Sequence, residues 1–238
     1  MDPEIKSLLT QVSTATLSLQ LLKRGIRRVA MAGVKPLVGD QGRLVGPAYT
    51  LRFLPLREDL ADPAVLAAPG YGPRRVIEEA PADSVLVIEA RGVTSAGVVG
   101  DILAARLKYR GVAAVVTDGA VRDGSGVAAT GLPVWCAGSA APASLGEHVG
   151  GDLQVAVGCG NVTVIPDDII VADGDGVVVV PAALAADVAA AAIDQERFEA
   201  WVQQQVEAGR KTLGLYPPDA ATQAEYDAWR GRPEDGQT

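Results

Sequence analysis

The stretch SVLVIEARGVTSAGVVGDILAARLKYRGVAAVVTDGAVRDGSGVAATGLPVWCAG, residues 84–138, decides the fold. It opens on an apolar run, SVLVIEA (84–90), and passes through the glycine-bearing segment RGVTSAGVVGD into DILAARLKYR (101–110), whose spacing predicts a helix. A second apolar run follows, VAAVVT (112–117), then the turn DGAVRDG, a short helix ending near Gly131, and a third run, LPVWCAG (132–138). Short apolar runs without alternation read as strands covered on both faces. Strand, helix, strand in this rhythm requires a crossover and predicts a parallel pair. The fold class is α/β.

Working outward, apolar residues at helical spacing (Ile5, Leu8, Leu9, Val12, Leu17, Leu19, Leu21, Leu22) predict one helix over 3–24, stopped by Gly25. VGPAYTLRFL (45–54) reads as a strand, 55–70 as a proline-punctuated loop, and RRVIEEA as a short helix. From 152 onward the short runs LQVAVG, VTVIP, DIIVAD and GVVVVP predict strands forming a β layer packed on the first half. A helix over 182–208 ends at Gly209, and the tail GRPEDGQT is polar. No linker interrupts the chain, which predicts a single domain over 1–238.

The formal net charge is −8, with no run of Lys or Arg, so no basic face is available for nucleic acid or an anionic membrane. No apolar run approaches the ~20 residues of a bilayer span, and MDPEIKSLLT has no basic n-region before an apolar stretch. The expectation is a soluble, cytoplasmic protein. Cys136 and Cys159 stand far apart, outside any C-x-x-C pattern, and read as buried thiols.

Candidate chemistry is narrowed by what each motif lacks. The one histidine, His148 in GEHVGG, has no G-x-S-x-G elbow beside it and reads as a surface loop residue. DGSGVAATG lacks the full G-x-G-x-x-G, and the glycines of GCGNV are turn glycines between strands. Asp173-Gly174-Asp175-Gly176 starts like a calcium loop without its later ligands, so a tight turn is expected. Asp101, Arg122 and Asp123 are left. Asp101 opens a helix; Arg122 and Asp123 follow the second strand, on the carboxyl edge where α/β proteins place their sites. Two carboxylates and an arginine beside a helix N-terminus suit Mg²⁺ or Mn²⁺ together with an anion. A capped helix and a surface Arg–Asp pair account for the same residues.

The segment GDILAARLKYRGVAAVVTDGAVRD resembles the RraA-like family, which includes the metal-dependent 4-hydroxy-4-methyl-2-oxoglutarate / 4-carboxy-4-hydroxy-2-oxoadipate aldolases. The D-X20-R-D motif of those class II pyruvate aldolases falls on Asp101, Arg122 and Asp123, and LVGPAYTL and VTVIPDDIIVADGDGVVVVP resemble further family segments. The resemblance covers roughly residues 10–215. It implies a three-layer β-β-α sandwich, an RraA-like swivelling domain. It also implies trimers or hexamers with interfacial active sites, built with the N-terminal helix and the C-terminal helix and tail (182–238). Asp123 would ligate Mg²⁺ or Mn²⁺ and Asp101 would act through metal-bound water. Arg122 would hold the enolate oxygen, and backbone N–H groups of Gly97, Val98, Val99 and Gly100 would cradle the substrate carboxylate.

The implied reaction is retro-aldol release of pyruvate from a 4-hydroxy-2-oxo diacid, with oxaloacetate decarboxylation through the same enolate. The family's non-catalytic ribonuclease regulators typically lack this Asp/Arg-Asp set, which the present chain retains. There is one departure. The aldolases carry an acid in the N-terminal helix, where STATLSLQLLKRG here has Thr16, Leu17 and Ser18; a second acid from the C-terminal helix corresponds to Glu199, with Glu196 nearby. The departure leaves open a different sugar-acid or hydroxy-acid lyase or hydratase.

Overall fold

The computed structural model describes residues 1–39, 41–62, 64 and 68–231. Contacts divide the chain into two compact units, Met1–Ala189 and Ala190–Thr238.

The first unit is organised by one mixed sheet in the order β1-β7-β5-β3-β2-β12-β13, where β1 is Lys35–Pro36, β2 Leu44–Pro55, β3 Val85–Glu89, β5 Ala114–Thr117, β7 Val134–Cys136, β12 Ile169–Ala172 and β13 Val177–Val180. The pairs β2–β3, β3–β5 and β5–β7 are parallel, as the central stretch predicts. Strand β2 is long enough to serve two partners on one edge. Its first residues pair antiparallel with β12, and its last with β9 (His148–Leu153).

Both sheet faces are covered, and alternate residues sort between them. Leu86, Ile88 and Val115 pack with Val76 and Ile77 of α3 (Gly72–Glu79), Ala104 and Leu107 of α4 (Asp101–Tyr109), and Val127 of α5 (Gly124–Ala129). Val85, Val87, Ala114 and Val116 pack on the other face with Val157 and Cys159 of β10 (Val157–Cys159) and Val162 and Val164 of β11 (Val162–Val164). Helices, sheet and hairpin form the three layers. The hairpin turn needs Gly160 at φ 55° and Asn161 at φ 62°, the left-handed conformation that glycine and asparagine tolerate. Of the two glycines of GCGNV only Gly160 is a turn residue, since Gly158 lies within β10 opposite Thr163, and both cysteines are buried and free.

Four expectations are corrected. The helix over 3–24 is two helices, α1 (Pro3–Gln11) and α2 (Thr14–Lys23), because Val12 is extended and Ser13 turns its hydroxyl onto the Thr16 N–H to cap the second. The run LQVAVG divides between β9 and β10. Strands β12 and β13 extend the main sheet through β2, so only β10–β11 forms the second β layer. His148 is fully buried on β9: its ring lies 5.0 Å from that of Phe53, and Arg91 Nη2 is 3.2 Å from its Nδ1. Burial and the Arg91 charge hold the imidazole below its usual pKa.

The tight turn expected at Asp173–Gly176 is present, and Asp173 ties elements together. Its carboxylate accepts from the Thr14 N–H (2.9 Å) and hydroxyl (2.7 Å) at the start of α2, and its carbonyl accepts from Trp135 Nε1.

The second unit contains most of α6 (Ala185–Glu207) and α7 (Ala220–Arg230), a helix not foreseen from the sequence. Trp201, Val202, Leu215 and Tyr226 form its core with Phe198 and Trp229 packed against them. The tail beyond Gly231 lies outside the described residues. No described helix is long and apolar enough to cross a membrane.

Candidate active site

Three short strands build the site. β4 (Gly97–Val99), β6 (Ala120–Val121) and β8 (Gly138–Ser139) follow β3, β5 and β7 respectively, and pair in parallel in the order β4-β6-β8. The small sheet thus lies beyond the carboxyl ends of the parallel strands, where open α/β sheets bind ligands. Strands of two or three residues carry no periodicity, and sequence reasoning leaves β4 in a glycine-bearing segment, reads β6 as part of the turn DGAVRDG and ends the third strand at Gly138.

The β4–β6 contact is unusually close. A Cβ on Gly97 would lie 2.4 Å from the Arg122 backbone nitrogen and 2.7 Å from its Cβ, so only glycine fits. The Arg122 N–H donates to the Val99 carbonyl at 2.8 Å. Residues 97–99, a predicted anion cradle, are therefore held against Arg122. Within the cradle, the Gly97 N–H is already donated to the Pro142 carbonyl. Val98 and Val99 are buried.

Strand β4 runs directly into α4. Gly100 is the N-cap and supplies no side-chain cap, and Asp101 is the first helical residue. Asp101 Oδ1 accepts from the Ile102 N–H at 2.8 Å. Strand β6 likewise runs into α5, through Arg122 and Asp123. Asp123 is the N-cap of α5 and adopts φ 56°, ψ 48°. This left-handed conformation is uncommon outside glycine, and asparagine and aspartate tolerate it best. Strain of this kind concentrates at functional sites. Arg122 Nε stands 3.7 Å from Asp123 Oδ2, with both side chains about half exposed at 51% and 52%.

The two carboxylates face the same corner. A Cβ on Gly126, in α5, would meet Asp101 Cβ at 3.0 Å and Oδ2 at 3.2 Å, and one on Gly100 would approach Asp123 Oδ2 at 3.8 Å. Glycines at 100 and 126 leave room beside each acid. Among the described residues no group of three or more His, Cys, Asp or Glu is placed to hold a metal; Asp101 and Asp123 are the two carboxylates at this corner. Such a set suits a hard cation that keeps several waters.

The other predicted positions are placed as follows. Leu17 is fully buried and Thr16 nearly so, turned to the core by α2, while Ser18 is half-buried and its hydroxyl donates to the Ala15 carbonyl. Glu199 lies in the second unit, where it accepts from Gln195 Nε2 (2.7 Å) and the Tyr216 hydroxyl (2.8 Å).

Sequence reasoning also passes over Asp118, only 8% exposed. Its Oδ1 accepts from the Ala90 N–H at 2.7 Å and its Oδ2 from the Gly92 N–H at 3.0 Å. Burial raises its carboxyl pKa, opposed by these backbone N–H groups and that of Gly160. The signal that could have found it is its place at the carboxyl end of β5, four residues before Arg122 in TDGAVRD.

Residues 11–179 match the family model described as RraA-like: Aldolase/RraA. A Halalkalibacterium halodurans protein named "Putative 4-hydroxy-4-methyl-2-oxoglutarate aldolase" is 32% identical over 148 residues, covering 62% of this chain and 64% of that protein. Protein DlpA of Legionella pneumophila is 32% identical over 180 residues, covering 75% of this chain but 28% of DlpA. The matches thus span less than two thirds of either relative. Among solved structures, Streptomyces coelicolor RraAS2, described as an unusual member of the RNase ES inhibitor RraA protein family, is 37% identical with a TM-score of 0.75, over 85% of this chain and 97% of that one. An uncharacterized Pseudomonas syringae protein is 26% identical with a TM-score of 0.80, over 91% and 94%. The three-layer fold, the extent of the family match and these likenesses agree: the chain belongs to the RraA-like family.

Proposed function

We propose that this chain is a divalent-metal-dependent carbon–carbon lyase that releases pyruvate from a 4-hydroxy-2-oxo diacid and decarboxylates oxaloacetate by the same route. The observation that carries the reading is the corner formed by Asp101, Arg122 and Asp123, with Asp123 strained into the left-handed region. The relative named as an aldolase supports it.

Each residue has a chemical task in this reading. Asp123 would hold Mg²⁺ or Mn²⁺ directly, with Asp101 as the second acid of the set. When bound, such a cation supplies Lewis-acid stabilisation for negative charge on the 2-oxo oxygen. Breaking the bond beta to the keto carbon, or losing CO₂ from oxaloacetate, sends an electron pair toward that oxygen. The Arg122 guanidinium would hold the charge there. The first turn of α4, whose N-cap Gly100 supplies no side chain and whose Ile102 N–H is taken by Asp101, favours the substrate carboxylate at its remaining N–H groups, as a helix N-terminus favours any anion. Glu199 is assigned to proton transfer, contributed across subunits of a trimer or hexamer.

The test is pyruvate release from oxaloacetate and from 4-hydroxy-2-oxo diacids with Mg²⁺ or Mn²⁺, detected with lactate dehydrogenase. Turnover that disappears with chelator and in Asp123→Ala supports the reading, and no pyruvate from any of these substrates refutes it. If pyruvate appears only with other sugar acids or hydroxy acids, the same site serves a different lyase, and gain or loss of water without pyruvate marks a hydratase; the buried Leu17 in place of an acid would allow either. The likeness to RraAS2 favours a second reading, a regulator that binds a ribonuclease. That reading requires inhibition of RNA cleavage by the purified chain, undiminished in Asp123→Ala.

A further inference from the structure

We infer that Asp118 is a positioning residue whose buried carboxylate sets the β4–β6 register and thereby holds residues 97–100 against Arg122 and Asp123. The inference rests on the lyase reading only where it names the reaction affected. Asp118 touches none of Asp101, Arg122 or Asp123 in the hydrogen bonds and ion pairs described. It acts through backbone.

Two segments must arrive side by side: the one leaving β3, which becomes β4, and the one leaving β5, which becomes β6. Asp118 sits at the root of the second and takes the N–H groups of Ala90 and Gly92 at the root of the first. Gly119 completes the junction, since a Cβ there would lie 2.4 Å from Ala90 Cβ and 3.2 Å from the Val93 carbonyl oxygen. The Gly119 carbonyl in turn accepts from the Ala137 N–H, which ties in the segment leading to β8. Past this junction Gly97 aligns with Ala120 and Val99 with Val121, and the Arg122 N–H reaches the Val99 carbonyl.

A carboxylate is the side chain the task requires. The N–H donors of Ala90 and Gly92, joined by that of Gly160, converge on two acceptor oxygens, and a buried N–H left unpaired is costly. An amide in its place offers one oxygen and turns an NH₂ toward the other donor.

The test compares wild type with Asp118→Asn and Asp118→Ala by thermal melting, amide exchange resolved by peptide, and Mn²⁺-supported pyruvate release from oxaloacetate. Both variants should melt cooperatively. Exchange should rise roughly tenfold or more across 90–100 and 119–123, with α1 and α2 unchanged. The rate constant kcat should fall about 10²-fold, well beyond the change in KM, with Asn milder than Ala. The inference is overturned if exchange across 90–100 is unaltered, if it rises evenly over the chain, if both variants fail to fold, or if an active wild type loses no kcat. A wild type that releases no pyruvate refutes the lyase reading instead, and the exchange pattern then decides the role of Asp118.

Discussion

Gly97 and Arg122 share a space that admits no side chain: a Cβ on residue 97 would fall 2.4 Å from the Arg122 backbone nitrogen. Because that nitrogen is committed to the Val99 carbonyl, the strand cannot yield without breaking the bond. Gly97→Ala should cost about 1–3 kcal/mol, as overpacking does in a tight core, and should abolish turnover. The control is Gly174→Ala, at a turn glycine with nothing within 4 Å, which should stay within about 0.5 kcal/mol of wild type. Chemical denaturation of the two variants checks the difference.

Asp123 offers a way to separate strain from chemistry. At φ 56°, ψ 48°, alanine pays the left-handed penalty of about 1–2 kcal/mol and glycine does not. Asp123→Ala should therefore be less stable than Asp123→Gly by about 1 kcal/mol. Both lose the carboxylate, and both should lose metal-dependent turnover. Equal stabilities would show that the backbone there relaxes freely, and activity retained in either would remove Asp123 from the metal site.

The candidate corner was legible in the sequence through the D-X20-R-D resemblance, whereas its spacing alone fitted a capped helix and a surface Arg–Asp pair equally well. Asp101, Arg122 and Asp123 meet at one corner because α4 and α5 start where two short strands end, and the strand-helix rhythm of residues 84–138 already implied those starts. What joins them was not legible. β4, β6 and β8 are too short for periodicity, and the fit of Gly97 against Arg122 is a tertiary contact that no local pattern encodes. His148 was misplaced for the same reason. Its polar, glycine-flanked surroundings suggest a loop, yet β9 pairs with the end of β2 and carries it beside Phe53. The helix break at Ser13 was missed because apolar spacing runs through it, although serine is a residue that commonly caps a helix.

The tie between Asp173 and Thr14 should be worth more than a surface contact. The carboxylate satisfies the Thr14 N–H and hydroxyl, and Thr14 is itself buried. Asp173→Ala leaves both donors unpaired at the start of α2 and should cost about 2–4 kcal/mol. Asp173→Asn keeps one acceptor and should cost less. The order Asn above Ala in melting temperature is the check, and a reversal would mean the turn, not the cap, is what Asp173 supports.

His148 makes stability depend on pH in a stated direction. Its folded pKa is lowered, by burial first and then by the Arg91 charge, below the usual histidine value of about 6.5. Between the lowered folded value and about 6.5 the unfolded chain binds more protons than the native one, so unfolding free energy rises with pH through that window. Acidification therefore destabilises the fold, beginning as pH falls below about 6.5. Protonation at Nδ1 would also set a positive charge against Arg91 Nη2 at 3.2 Å. His148→Gln, uncharged at any pH, should flatten this part of the stability profile while lowering stability at neutral pH through lost packing on Phe53. Urea midpoints for both proteins at pH 5, 6, 7 and 8 decide the matter. A wild-type profile with the same slope as the variant would show that the imidazole is not the group responsible.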